Sequence, residues 1–196
     1  MDSYAFAFFP ASLLACLFLG IKWWQAKREI ARLVGELTED TFTPPLLNKR
    51  GFFLKGQRVY EREVRLRHEG RVGIACFDLV GFKRVNDEKG HKVGDNVLKL
   101  FARLLDAHFR VSDILAHLSG DEFAGIFPRM EEEVLHRKCS ALVAEFERRT
   151  LEEFGIKVSA RFCALSFCGS NIDTSLEGLL VLADEGMIAK RQGERR

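Results

Sequence analysis

A run of eight residues, Val72-Gly73-Ile74-Ala75-Cys76-Phe77-Asp78-Leu79, constrains the fold of this chain more than any other stretch. Its apolar side chains fall on both alternating faces, and an acid stands near its end. That pattern fits a buried central strand that delivers a carboxylate at its C-terminal end. A strand covered on both faces requires further layers from the rest of the chain.

Those layers are legible in order. Asn48 caps a helix through about Glu69, with Phe52, Val59, Val64 and Leu66 among its apolar positions, and Gly70 stops it. After the central strand, Gly81 to Gly90 reads as a polar, turn-rich excursion. Val93 to Phe109 places Val97, Leu98, Phe101, Leu104 and Leu105 on one helical stripe. Two short strands, about 113–118 and 122–127, then flank Ser119-Gly120-Asp121, which is hairpin-turn chemistry. Glu131 to Phe154 reads as a long charged helix, Ile156 to Phe167 as a strand and Ser175 to Gln192 as a final helix. The order β-α-β-β-α-β, with a helix before and after, predicts an α+β fold: a ferredoxin-like, palm-type antiparallel sheet with flanking helices.

Upstream, Tyr4 to Ile21 carries no charge and would span roughly 27 Å as a helix, marginally enough for a bilayer core. Trp23 and Trp24 follow at interface depth, and Lys22, Lys27 and Arg28 place what comes after on the cytoplasmic side. A cleaved signal peptide would need a basic start, which is missing. The expectation is a transmembrane anchor over residues 1–24 in a bacterial inner membrane, crossing once. A short helical stalk over 25–41 follows, with Ile30, Leu33, Val34 and Leu37 on one face, and then one catalytic domain over 42–196 in the cytoplasm. Thr41-Phe42-Thr43-Pro44-Pro45 marks the boundary, since neither proline continues a helix.

The composition, 47% hydrophobic and 30% charged with a formal charge of +2, describes a globular protein without a strong field for nucleic acid. The five cysteines form no CxxC pair and read as reduced residues of a cytosolic domain.

In the predicted topology Asp78 at a strand end and Asp121 at the hairpin converge. Two carboxylates at a nucleotide site suit Mg²⁺, which takes oxygen ligands together with substrate phosphates. Metals of that kind neutralise the charge that develops in phosphoryl transfer.

Three separated blocks then carry a family resemblance: Asp78-Leu79-Val80-Gly81-Phe82-Lys83-Arg84-Val85-Asn86-Asp87, Gly90-His91 with Gly94-Asp95, and Ser119-Gly120-Asp121-Glu122-Phe123. In order and spacing they resemble the diguanylate cyclase (GGDEF) family, here in an SGDEF form, over roughly residues 42–193. The resemblance implies that two GTP molecules, one on each of two antiparallel subunits of a homodimer, condense into cyclic di-GMP with release of pyrophosphate. It implies Mg²⁺, with Mn²⁺ as a substitute, held by Asp78, Asp121 and the Leu79 carbonyl. Glu122 would assist at the ribose 3′-hydroxyl or at a second metal, and the identity of the general base stays open. Asn86 and Asp95 stand where the family reads the guanine edge, whose acceptor O6 and donors N1 and N2 an amide and a carboxylate can match. Lys83 and Lys190 would contact phosphate, and Gly120 would let backbone N–H groups approach the triphosphate. Arg110-Val111-Ser112-Asp113 stands as the family's RxxD product-inhibition motif does, so Arg110 and Asp113 would bind cyclic di-GMP.

The chain departs from the pattern at four places. Ser119 replaces the first glycine of the signature, with strain expected if its φ is positive. Val80 stands for an acid. Of the segment leading into the domain, usually D-x-L-T-x-L-x-N-R-R, only the second half of Thr41–Arg50 matches. Glu194 stands where a phosphate-gripping arginine is common, a repulsive exchange for which Arg191, Arg195 or Arg196 would have to compensate. Two other readings follow: a catalytically weak or inactive relative that binds cyclic di-GMP or GTP as an effector, and a palm-type cyclase or polymerase for another nucleotide.

Overall fold

The expected central strand is present as β1, Arg71–Val80, in a computed structural model that describes the backbone of residues 11–193 and the side chains of residues 16–189. β1 pairs antiparallel with β3 (Glu122–Pro128) on one side and with β4 (Ser159–Cys168) on the other. β2 (Ile114–Ser119) pairs outside β3, so the sheet order is β2-β3-β1-β4. This is the ferredoxin-like order read from the sequence, and both hairpin strands fall within two residues of their expected limits.

Alternation along β1 divides its side chains between two cores. Ala75, Phe77 and Leu79 join the helix α4 (His91–His108) and the helix α5 (Glu132–Phe154) in one layer, through Val97, Phe101 and Phe146 among others. Val72, Ile74 and Cys76 face the other layer, with Phe52 of α2 (Lys49–Arg65) and Leu176, Leu179 and Ala183 of α6 (Leu176–Gly193). Burial on both sides explains why β1 reads as an almost continuous apolar run. Asp78 shares the alternation of Ile74 and Cys76, and so belongs to the face that α6 covers.

The cap at Asn48 forms as expected, its side-chain oxygen accepting the Gly51 N–H at 2.9 Å. The helix ends at Arg65, however, and a 3₁₀ turn over Arg67–Glu69 completes the approach to Gly70. The expected loop from Gly81 to Gly90 is instead a helix, α3, Phe82–Lys89. Only Val85 of α3 is buried, so its sequence shows no apolar stripe to reveal it. Eight residues are too few for a stable isolated helix, and packing against α4 sustains this one.

The N-terminal part requires a correction. The anchor expected over residues 1–24 begins outside the described residues, and among the described residues no helix is long and apolar enough to cross a membrane. The described helix α1, Ala11–Thr38, runs through both the expected anchor and the expected stalk. Within the described residues its uncharged portion ends at Ile21, and Lys22 follows. Met1–Leu37 and Thr38–Arg196 form two compact units. In the first, Ile30, Leu33, Val34 and Leu37 are exposed along α1. The second holds the sheet and both cores.

Candidate functional site

The geometry of the site begins with the register of β1 and β3. Asp78 lies directly opposite Glu122, and the Leu79 N–H donates to the Asp121 carbonyl at 3.2 Å. The hairpin tip is thereby tied by main chain to the end of β1. Gly120 turns the chain with φ +52, a conformation most side chains avoid. Ser119 is not among the positive-φ residues, so the strain expected of the SGDEF form is absent. Its hydroxyl instead donates to Glu122 Oε2 at 2.9 Å and orients that carboxylate.

Asp78 also faces Arg161, its partner in the β1–β4 register, whose Nη1 lies 3.1 Å from Asp78 Oδ2. A cavity of about 190 Å³ opens here, lined by Asp78, Glu122 and Arg161 with Asp184, Met187 and Ile188 of α6. A neighbouring cavity of about 210 Å³ shares Glu122, Asp184 and Met187 and reaches Lys49, Cys76 and Ser119. Burial, helped by Asp184, Cys163 and Glu122, pushes the Cys76 thiol up to about 12. It therefore stays protonated at neutral pH and offers no thiolate to a metal or an electrophile.

Among the described residues no three His, Cys, Asp or Glu side chains converge as a metal cage. What converges is the cross-strand pair Asp78 and Glu122, with the Asp121 main chain beside it. An all-oxygen set this sparse fits a hard cation that keeps water and takes its remaining ligands from phosphate, as Mg²⁺ does.

The other expected residues fall into three groups. Lys83 is exposed in the first turn of α3, which begins four residues after Asp78. Asn86 lies against Gly94 so closely that a Cβ there would come within 2.0 Å of its Oδ1, so a larger residue would have to displace this carboxamide. Asp95 follows, exposed, on α4. Arg110 and Asp113 lie at the opposite end of β2 from the signature turn, roughly 20 Å of strand away. Asp113 is buried, and its Oδ2 accepts the Arg110 N–H at 2.8 Å. Burial pushes its carboxyl up, against the pull of Arg110 and Lys138. Lys190 belongs to the backbone of α6, while its side chain and Glu194 to Arg196 lie outside the described residues.

Four contributors were not visible in sequence. Arg161 and Asp184 come from β4 and α6, far along the chain from Asp78, and no local pattern points to them. The other two are Asp40 and His117. His117 Nδ1 lies 3.2 Å from Asp40 Oδ2, and Nε2 lies 3.0 Å from the Gly120 carbonyl. Both partners are acceptors, and a ring N–H facing either one donates to it. The ring also stacks on Phe123, with centroids 4.7 Å apart. Asp40 accepts the N–H groups of Phe42 and Thr43, so an acid holds the start of the domain-entering segment. It stands one residue before the Thr41 start expected for that motif. Leu47 then pairs with Ala116, so this segment adds to the edge of β2.

Comparison with known proteins follows the same lines. A family model described as "Diguanylate cyclase, GGDEF domain" matches residues 38–196. Diguanylate cyclase DosC of Escherichia coli is 29% identical over 156 residues, 77% of this chain and 33% of DosC. Diguanylate cyclase DgcP of Pseudomonas aeruginosa is 34% identical over 143 residues, 69% of this chain and 21% of DgcP. The chain thus spans a third or less of the length of these two relatives. In fold it is similar to the coiled coil and GGDEF domain of DgcB from Caulobacter crescentus, a complex with c-di-GMP: TM-score 0.76, 22% identity, covering 93% of this chain and 95% of that one. The GGDEF domain of TpbB, or YfiN, from Pseudomonas aeruginosa matches with TM-score 0.68 and 28% identity over 79% of this chain and 89% of that one.

The Asp40 contacts lead to a pH-dependent expectation. Burial alone would raise the Asp40 carboxyl, but the N–H donors of Thr43 and Phe42 and the facing His117 hold it below its ordinary value. A depressed carboxyl lends stability that is present above its unfolded value, about 3.9, and is lost as pH falls through the folded value. Wild type is expected to melt above Asp40→Asn at about pH 6, with the gap closing below about pH 4. Thermal midpoints of the two proteins across that range provide the check, and parallel curves would show that Asp40 holds nothing.

Proposed function

The chain belongs to the GGDEF diguanylate cyclase family over residues 38–196, and on that footing we propose that it condenses two GTP molecules into cyclic di-GMP. The observation that carries this reading is the register of Asp78 opposite Glu122, with the Asp121 carbonyl tied to Leu79. It holds a carboxylate pair and a backbone approach for phosphate at one strand end. In each half-reaction the 3′-oxygen of one GTP forms a bond to the α-phosphorus of the other. The bond from that phosphorus to the bridging oxygen breaks, pyrophosphate leaves, and the 3′-hydroxyl proton passes to a base.

The chain's own residues divide the work. Asp78 and Asp121, with the Leu79 carbonyl, would hold Mg²⁺ or Mn²⁺, which supplies charge neutralisation at the phosphates when bound. Glu122, oriented by Ser119, stands where the 3′-hydroxyl or a second metal would be met. Asn86 and Asp95 match the guanine edge, while Lys83 and Lys190 match phosphate. Gly120 leaves the backbone accessible. Turnover joins two nucleotides, so it requires two sites face to face in a homodimer. The exposed stripe of Ile30, Leu33, Val34 and Leu37 on α1 is an apolar face that a second copy would cover. The reading as an inactive relative rests on Ser119 and Glu194; the backbone and hydroxyl of Ser119 give it no support, and Glu194 lies outside the described residues.

At the far end of β2, Arg110 and Asp113 form a second site for cyclic di-GMP that inhibits turnover. Arg110 is exposed for phosphate or guanine stacking, and Asp113 Oδ1 has no hydrogen-bond partner among the described residues. Location at a bacterial inner membrane rests on the apolar sequence of residues 4–21 with Lys22, Trp23 and Trp24 behind it.

Full-length protein incubated with GTP and Mg²⁺ is expected to yield cyclic di-GMP by chromatography. Asp121→Ala should abolish the product, and its absence from wild type and Arg110→Ala alike would end the cyclase reading. Arg110→Ala should raise the yield once product has accumulated, by about tenfold or more if a charge-assisted contact is lost. An unchanged inhibition curve would remove the second site. The full chain should sediment with membranes after lysis without detergent, and recovery in the supernatant would remove that placement.

A further inference from the structure

The cavity at the end of β1 contains a guanidinium that nothing in the reaction scheme above uses. Arg161 lies on β4 between Ala160 and Phe162, opposite Asp78, with its side chain 21% exposed and that of Asp78 24% exposed. An ion pair at the surface contributes little to stability, and ordering a long side chain costs entropy. This pair is only partly open to water and sits on a carboxylate assigned to the metal.

Charge balance suggests its use. Among the described residues, Asp78, Glu122 and Asp184 border the cavity with one basic side chain, Arg161. A nucleoside triphosphate adds several more negative charges. The cavity therefore needs cations to accept that ligand, and Arg161 lines it. A guanidinium presents a planar fork of donors that matches phosphate in two-point contact, which an ammonium cannot do.

We propose that Arg161 is a triphosphate-contacting residue that pairs with Asp78 until nucleotide and divalent cation arrive, and then exchanges that carboxylate for phosphate oxygen. Resting on the cyclase reading for the identity of the nucleotide, it gives this chain a phosphate-gripping arginine from β4. The chain has Glu194 at the tail position where the family commonly has one. Without nucleotide, Arg161 occupies an oxygen of Asp78 and so competes with a divalent cation for it. With nucleotide, it adds to binding.

The two roles have opposite signs, which makes the exchange testable. Arg161→Gln should bind Mn²⁺ alone more tightly than wild type, because Asp78 is released. The same variant should bind GTP lacking its 3′-hydroxyl about tenfold or more weakly, the loss of one charge-assisted contact. Arg161→Lys keeps the charge but not the fork; it should hold Mn²⁺ affinity near wild type while recovering only part of the nucleotide affinity. Full-length protein, Mn²⁺ titration followed by electron paramagnetic resonance, and calorimetry with 3′-deoxy-GTP in Mg²⁺ provide the readouts, none of which needs turnover.

Loss of both affinities in the two variants would make Arg161 only a brace for Asp78, and gain of both would make it only a block. Either outcome overturns the proposal, as does unchanged nucleotide affinity. If wild type makes cyclic di-GMP while Arg161→Gln binds 3′-deoxy-GTP normally, this inference fails and the cyclase reading stands. If 3′-deoxy-GTP binding depends on Arg161 yet no product forms, the reverse holds.

Discussion

Antiparallel pairing of β1 with β3 is the constraint on which the rest of the structure depends. It sets Asp78 opposite Glu122, and the bond from the Leu79 N–H to the Asp121 carbonyl fixes the hairpin tip at the same end. Register in a sheet has a period of two, so a slip of one residue would turn Asp78 toward the opposite core. The slip is opposed by aromatic packing. Phe77 and Phe123, each adjacent to a site carboxylate, both pack on Phe101, with centroids 5.7 and 4.9 Å away. Phe146 of α5 closes on Phe101 from behind, also at 4.9 Å. Burial of these rings helps hold the two acids in place.

Around that frame the polar groups are arranged in pairs, some joining distant parts of the chain and others closing the turn locally. Arg161 with Asp78 joins β4 to β1, and Ser119 with Glu122 closes the turn on itself. His117 joins the Gly120 carbonyl to Asp40, and so connects the segment entering the domain with the signature turn. Movement of that segment would be felt at the turn through one imidazole and the edge pairing of Leu47 with Ala116. In the sheet order these contacts lie at the β2 edge, whereas Arg161 lies on β4 at the other edge.

The elements that could be read from sequence are those whose signal is local. β1 announced itself by its apolar run, the hairpin by Ser-Gly-Asp between two short strands, and α2 by the Asn48 cap that forms as expected. The helix α3 was missed because one buried residue makes no periodic stripe, and its stability comes from α4. The transmembrane expectation covers residues 4–21, of which the first seven lie outside the described residues, and among the described residues no helix is long and apolar enough to cross a membrane. Asp40 accepts the N–H groups of Phe42 and Thr43 at the entry to the domain, contacts that the sequence pattern of Thr41–Arg50 does not show.

By itself the sequence determined the β-α-β-β-α-β order, the family, and the residues from Asp78 to Glu122 that stand on the family's motif. These depend on alternation, helical period and spacing, which are written along the chain. Only the tertiary structure decided what faces Asp78. Arg161, 83 positions away, reaches it through the β1–β4 register, and Asp184 borders the same cavity through the packing of α6 on the sheet. It also decided that Ser119 is a donor to Glu122 rather than a strained substitute for glycine. A cross-strand neighbour is chosen by how two strands align and a turn's strain by its φ, and neither quantity exists until the sheet has formed.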